Sequence, residues 1–174
     1  MGLSAPITDA PDEIRAILAP IRHPFSVAVF AAGNAFAVGA IIRVAHSFLA
    51  REVILIGPEP HYEKASMGME KYENVIRVTD EERFLELVDT RPLWAIEKDH
   101  ATRSLYDNYD FPNDVVFLFG SERFGIPDSL IRQSNEVIGI PIYGVNHSLP
   151  LAVASGIVMN EWARRAYQHG ALVR

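Results

Sequence analysis

The chain contains no cysteine among its 174 residues. Disulfides, thiolate nucleophiles and cysteine-held metals are thereby excluded, and a reducing cytoplasm is the expected compartment. No apolar run approaches the roughly 20 residues that a membrane helix needs. Positive charge is in deficit: the formal net charge is −6. That runs against an obligate nucleic-acid coat protein, although a local basic patch can act within an acidic whole. The six histidines, His23, His46, His61, His100, His147 and His169, show no ligand spacing, so no metal is expected. A Walker lysine motif and a Gly-x-Ser-x-Gly elbow are both missing, and Gly33 and Gly39 do not make a dinucleotide fingerprint. The opening Met-Gly-Leu-Ser-Ala-Pro lacks the basic and apolar regions of a secretory signal, and Pro6 makes it a poor lipidation match.

What remains is the composition of a soluble globular protein, about half apolar. Short apolar runs of β-formers recur at 25–31, 53–56, 74–78, 93–96, 115–119 and 137–140. Between them lie amphipathic stretches at 36–51, 80–88, 127–133 and 148–167. Asp80 or Thr79 caps the second stretch, and Ser148 is a plausible cap for the last. Residues 7–22 read as a further short helix, capped by Thr8 or Asp9, within an N-terminal extension over 1–24. Strands alternating with helices predict one α/β domain over 1–174, with a mainly parallel sheet and helices on both faces. Strands that are apolar without interruption are buried on both sides.

Ligands of such sheets lie beyond the carboxyl ends of the strands, where three polar, glycine-bearing stretches fall. The first is Gly33-Asn34 leading into a helix that carries Arg43 between Ile42 and Val44. The second is Phe119-Gly-Ser-Glu-Arg-Phe-Gly125. The third is Ile140-Pro-Ile142 followed by Asn146-His-Ser-Leu-Pro150. Each has a plain structural reading: Asn34 and Ser148 as caps, the glycines as turns, Glu122 as a surface charge, His147 as an exposed turn residue.

In this order and at these strand ends, the three stretches resemble the motifs of the SpoU-type (TrmH-like) RNA ribose 2′-O-methyltransferases of the SPOUT superfamily. The likeness runs from about Phe25 to Trp162. It takes in the Asn34-to-Arg43 first motif, the Phe119-to-Gly125 second motif, and a third motif at Ile140–Ile142 and Ser148-Leu149. Ala65-Ser-Met-Gly-Met69 is similar to the family's linking segment. The chain departs from the family at Pro150, where asparagine is common, and at Ala152, where serine is.

The resemblance implies a C-terminal trefoil knot holding S-adenosylmethionine (AdoMet), with Leu118, Phe119, Gly120, Ile140, Ile142, Ser148 and Leu149 as cofactor-binding residues. It implies a homodimer, and methylation of a ribose 2′-hydroxyl of tRNA or rRNA. Arg43, Asn34, Glu122 and Ser148 are then the expected catalytic residues, with Arg43, Arg123 and Arg132 on the RNA. An arginine, with a reference pKa above about 12, suits polarising a hydroxyl or holding a phosphate better than accepting a proton. Glu122 would orient an arginine. Met159 and Trp162, beside small residues of the closing helix, fit a dimer interface or a plain core equally. Pro150 and the acidic charge leave a non-catalytic AdoMet- or RNA-binding relative as the alternative. A small-molecule binder with chance motifs is a third.

Overall fold

The computed structural model describes residues 10–168. Its seven strands form one sheet in the order β3-β2-β1-β6-β4-β7-β5. In chain order these are β1 (His23–Phe30), β2 (Ala50–Ile56), β3 (Val75–Val78), β4 (Leu93–Ile96), β5 (Arg103–Ser104), β6 (Val115–Phe119) and β7 (Glu136–Gly139). Every pairing among them is parallel. The helices are α1 (Pro11–Leu18), α2 (Ala35–Ser47), α3 (Glu63–Ser66), α4 (Glu81–Val88), α5 (Asp128–Gln133) and α6 (Leu151–Gln168).

The alternation of side chains along each strand builds two cores. Phe25, Val27 and Val29 of β1 and Val115, Phe117 and Phe119 of β6 face one way, where Ile41 and Ala45 of α2 and Val158 and Trp162 of α6 cover them. Ala28, Val116 and Leu118 face the other, under Phe84 and Val88 of α4 and Leu130 of α5. Leu118 is therefore a core residue whose side chain turns away from the α6 side. Met159 and Trp162 also belong to the core: they are 0% and 6% exposed, and the Trp162 ring lies 4.5 Å from that of Phe25. Their burial within one chain settles the choice between core and interface for these two.

Several boundaries differ from the sequence expectation, each for a local reason. Helix α2 stops at Ser47 because Leu49 takes a left-handed φ of 50°. Ala50 and Arg51 then enter β2, with Ala50 paired to His23. Helix α6 begins at Leu151, and the N–H groups of Val153 and Ala154 donate to the carbonyl of Pro150. Ser148 is thus not its cap; its carbonyl accepts from Asn146 Nδ2 instead. Helix α1 follows Ala10 with no side-chain cap, and Thr8 and Asp9 lie outside the described residues. Asp80 does cap α4, accepting from the Arg83 N–H at 2.9 Å.

At the amino edge of the sheet, charges are buried in pairs. Arg91 donates to Glu52 at 2.6 Å, to Asp114 at 3.0 Å and to Ser26 at 2.5 Å. Arg22 pairs with Glu73, which has no exposed side-chain surface. At the far end of α6, the Arg165 guanidinium sits over the rings of Tyr109 and Phe111, at 4.4 and 4.9 Å from their centroids. It also donates to the carbonyls of Leu105, Asp107 and Tyr109 and to Glu161. The closing helix is thereby fastened to the segment that leads into β6.

Candidate functional site

A pocket of about 580 Å³ opens at the carboxyl ends of β4, β6 and β7. Its floor is Phe119 and Gly120 from β6 and Ile140 after β7, and its wall is the loop from Ile142 to Pro150. Glycine is required at 120: a Cβ there would meet the Gly125 carbonyl carbon at 2.2 Å and the Ile126 nitrogen at 2.6 Å. The turn folds back so tightly because Ser121 and Gly125 exchange N–H···O bonds of 3.0 Å in both directions, and Gly125 adopts φ +67°.

Glu122, carried by this turn, connects the three stretches. Its Oε2 accepts from the side-chain amide of Asn34, and its Oε1 accepts from the backbone N–H of Leu151 at 3.2 Å. Asn34 uses its other end, Oδ1, to cap α2 by accepting from the Ala37 N–H at 2.9 Å. One carboxylate thus joins the amino ends of α2 and α6 above strand β6. A negative charge suits that position, since both helix ends present unsatisfied N–H groups. Within its own chain no arginine lies on Glu122 among the described residues, and its carboxylate joins two helix ends.

Of the expected cofactor residues, Phe119, Gly120, Ile140, Ile142, Ser148 and Leu149 all line the pocket, and Leu118 does not. Asn34 and Glu122 are brought together. Arg43 is exposed, nine residues into α2 from Asn34, which at 1.5 Å per residue is roughly 13 Å along the axis. It does not line the pocket of its own chain, and its guanidinium has no partner among the described residues. Arg123 is exposed on the Glu122 turn, over the Phe124 ring at 5.1 Å. Arg132 is not brought to this site: it sits in the last turn of α5, on the opposite face of the sheet.

Three lining residues were not singled out in the sequence: Glu97, Lys98 and Asp99. They directly follow β4, and the strand-end rule applied to that strand would have found them. Lys98 Nζ donates to the His147 carbonyl at 2.9 Å and so ties the third stretch across the pocket. His147 itself is an exposed turn residue. Among the described residues there is no cluster of acidic or imidazole side chains able to hold a metal. No described helix is long and apolar enough to cross a membrane.

Its lining combines the apolar side chains of Ile140, Ile142 and Leu149 with the charged ones of Glu97, Lys98, Asp99 and Glu122.

Comparison with known proteins agrees with this geometry. Residues 24–160 match the model of the SpoU rRNA Methylase family. The chain is 29% identical over 132 residues to the putative TrmH family tRNA/rRNA methyltransferase YacO of Bacillus subtilis, covering 73% of this chain and 53% of that protein. It is 27% identical over 132 residues to the 23S rRNA (guanosine-2′-O-)-methyltransferase RlmB of Coxiella burnetii, with the same coverage. The chain therefore spans about half the length of these relatives. The AdoMet-bound rRNA methyltransferase of Sinorhizobium meliloti superposes with a TM-score of 0.73 at 28% identity, over 87% of this chain and 60% of that one.

Proposed function

Because the chain belongs to the SpoU rRNA Methylase family, we propose that it is an AdoMet-dependent methyltransferase acting on a ribose 2′-hydroxyl of tRNA or rRNA. The observation that carries this reading is the Asn34–Glu122–Leu151 connection, which draws three separated stretches around one pocket. The pocket's size lies in the range of small-molecule sites. Phe119, Ile140, Ile142 and Leu149 would take the adenine and the methylene chain. Glu97, Asp99 and Glu122 would offset the positive charge. AdoMet supplies an already activated methyl group, so the protein's share is binding, alignment and electrostatics.

Glu122 fixes the entrance of α6 relative to α2 and so sets the width of the pocket mouth. Ser148, exposed at that mouth, offers a hydroxyl to the ribose. Arg43, an unpaired guanidinium outside its own pocket, serves the pocket of a second copy in a homodimer. There it holds the phosphate next to the reacting sugar or stabilises charge developing on the 2′-oxygen. Arg123 adds a contact to the RNA backbone. The contacts of Arg165 with the carbonyls of Leu105, Asp107 and Tyr109 are compatible with the knot that the family resemblance implies, in which the chain after the last of the predicted strands threads a loop. Action in the cytoplasm accords with the lack of cysteine.

Pro150 favours a second reading. Its ring supplies no N–H at the mouth of the pocket, which a reactive site could have used, and a relative that binds AdoMet or RNA without transfer would tolerate that loss. Incubation with methyl-labelled AdoMet and total RNA, followed by mass spectrometry of nucleosides, separates the two. Label in 2′-O-methylated nucleosides is the expected result. Label in base-methylated nucleosides only would refute the ribose assignment, and no label alongside measurable AdoMet binding would support the non-catalytic relative.

A further inference from the structure

Beside the Asn34 cap, two aromatic rings stand in solvent with nothing packed on their outer side. Phe36, in the first turn of α2, is 63% exposed, and Tyr62, just before α3, is 45% exposed. Their centroids lie 6.2 Å apart and their planes are inclined by 31°. We propose that Phe36 and Tyr62 form a stacking ledge for a base of the substrate RNA next to the nucleotide being methylated. This rests on the function proposed above and adds to it a pair of positioning residues.

Three observations carry the proposal. The first is placement: Phe36 is two residues from Asn34, whose amide meets the pocket-lining Glu122, so the rings stand on the α2 side of the site. The second is rigidity. The Tyr62 N–H donates to the Ala35 carbonyl at 2.8 Å. The α3 segment lies so close on α2 that a Cβ at Gly39 would stand 2.4 Å from the Tyr62 carbonyl oxygen. Buried Ser66 anchors the same turn, its hydroxyl 2.7 Å from the Glu63 carbonyl. A ring held in this way loses little freedom when a base stacks on it.

The third observation is charge. Lys64, two residues from Tyr62, is exposed, and its ammonium has no partner among the described residues. A phosphate beside a stacked base would supply one, in a chain whose net charge of −6 otherwise repels a polyanion.

The test uses the full chain and a fluorescein-labelled, mixed-sequence RNA decamer, followed by anisotropy, together with methyl-transfer kinetics on total RNA. Phe36→Ala and Tyr62→Ala should each weaken decamer binding and raise the KM for RNA by about 5- to 100-fold, the range for one lost base–aromatic stack. Phe36→Trp should bind at least as well as wild type, and Phe36→Leu as poorly as the alanine variant. AdoMet affinity by calorimetry and mass by sedimentation should not change. Equal RNA affinity across the set, or full binding by Phe36→Leu, would overturn the ledge. A halved mass for the alanine variants would do so too, marking the rings as a contact between copies. If the wild type neither binds AdoMet nor methylates RNA, the parent function fails. If it does both and the variants keep its KM, the ledge alone fails.

Discussion

The carboxylate of Glu122 stands between the side-chain amide of Asn34 and the backbone N–H of Leu151, and so joins the amino ends of α2 and α6. Hydrogen bonds to a charged group are worth about 1.5–3 kcal/mol each when lost, and solvent access at this exposed residue brings that toward the lower end. Glu122→Ala should therefore weaken AdoMet binding about tenfold and lower the melting temperature by a few degrees. Glu122→Gln keeps one acceptor oxygen and should lie between it and wild type. Calorimetry with AdoMet on all three checks this; an alanine variant with wild-type affinity would remove Glu122 from the site.

Gly120 is a sharper case, because backbone rather than a flexible side chain occupies the space a Cβ would need. Gly120→Ala should cost about 3 kcal/mol or more through overpacking and abolish AdoMet binding in whatever fraction folds. Gly33→Ala is its control. That residue has φ +79° but open space around it, so the cost should be only the 1–2 kcal/mol of a left-handed alanine. Urea unfolding of the two variants should rank them in that order.

Much of this molecule was legible before its coordinates. Strands such as Val115–Phe119 are continuous apolar runs, and a buried parallel sheet needs them. The same continuity hides phase: in a run apolar on both faces nothing tells which side Leu118 takes, and its side chain packs with those of α4 and α5. Strand β5, two residues long, and helix α3, four residues long, are too short for any period and exist because β7 and α2 hold them. Arg132 could not be placed because its position depends on which face α5 covers, which is a property of chain crossover and not of local sequence. The link from Glu122 to Leu151 spans 29 residues, and only folding reveals it.

Arg43 offers a test that separates partner from self. If it serves the pocket of the other subunit, Arg43→Ala should lose methyl transfer while keeping AdoMet binding. Mixing it with a pocket variant such as Ile142→Asp should then restore activity. Random pairing makes half the dimers mixed, each with one complete site, so about a quarter of the wild-type rate is expected. No recovery on mixing, with exchange of subunits verified, would place Arg43 in the site of its own chain.

Tyr109 lies under Arg165 at the join between α6 and the segment before β6. Burial pushes its phenol up to about 12, with the Arg165 charge opposing. The unfolded phenol ionises near 10, so between about pH 10 and 12 the unfolded chain gives up a proton that the folded one keeps. The stability from this group is therefore intact below pH 10 and drains away as the pH rises toward 12. Denaturation midpoints should fall across that window, and Tyr109→Phe should flatten the fall. An equally steep fall in the phenylalanine variant would assign it to other groups.

At the opposite edge of the sheet, Arg91 and Glu52 test whether a buried ion pair supports the fold or merely has to be satisfied. Glu52 is 7% exposed and Arg91 bonds it at 2.6 Å while also reaching Ser26 and Asp114. Removing one partner leaves an uncompensated charge, so Arg91→Met alone should destabilise by about 3–5 kcal/mol. Replacing both, as Glu52→Gln with Arg91→Met, discards the two desolvated charges together and should recover at least half of that loss. The pocket lies at the other ends of the strands, so AdoMet affinity of the folded double variant should equal that of wild type. If the double variant is as unstable as the single one, Asp114 and Ser26 are the partners that need Arg91, and its role is to close the turn at Asp114, whose φ of 60° holds the chain as it enters β6.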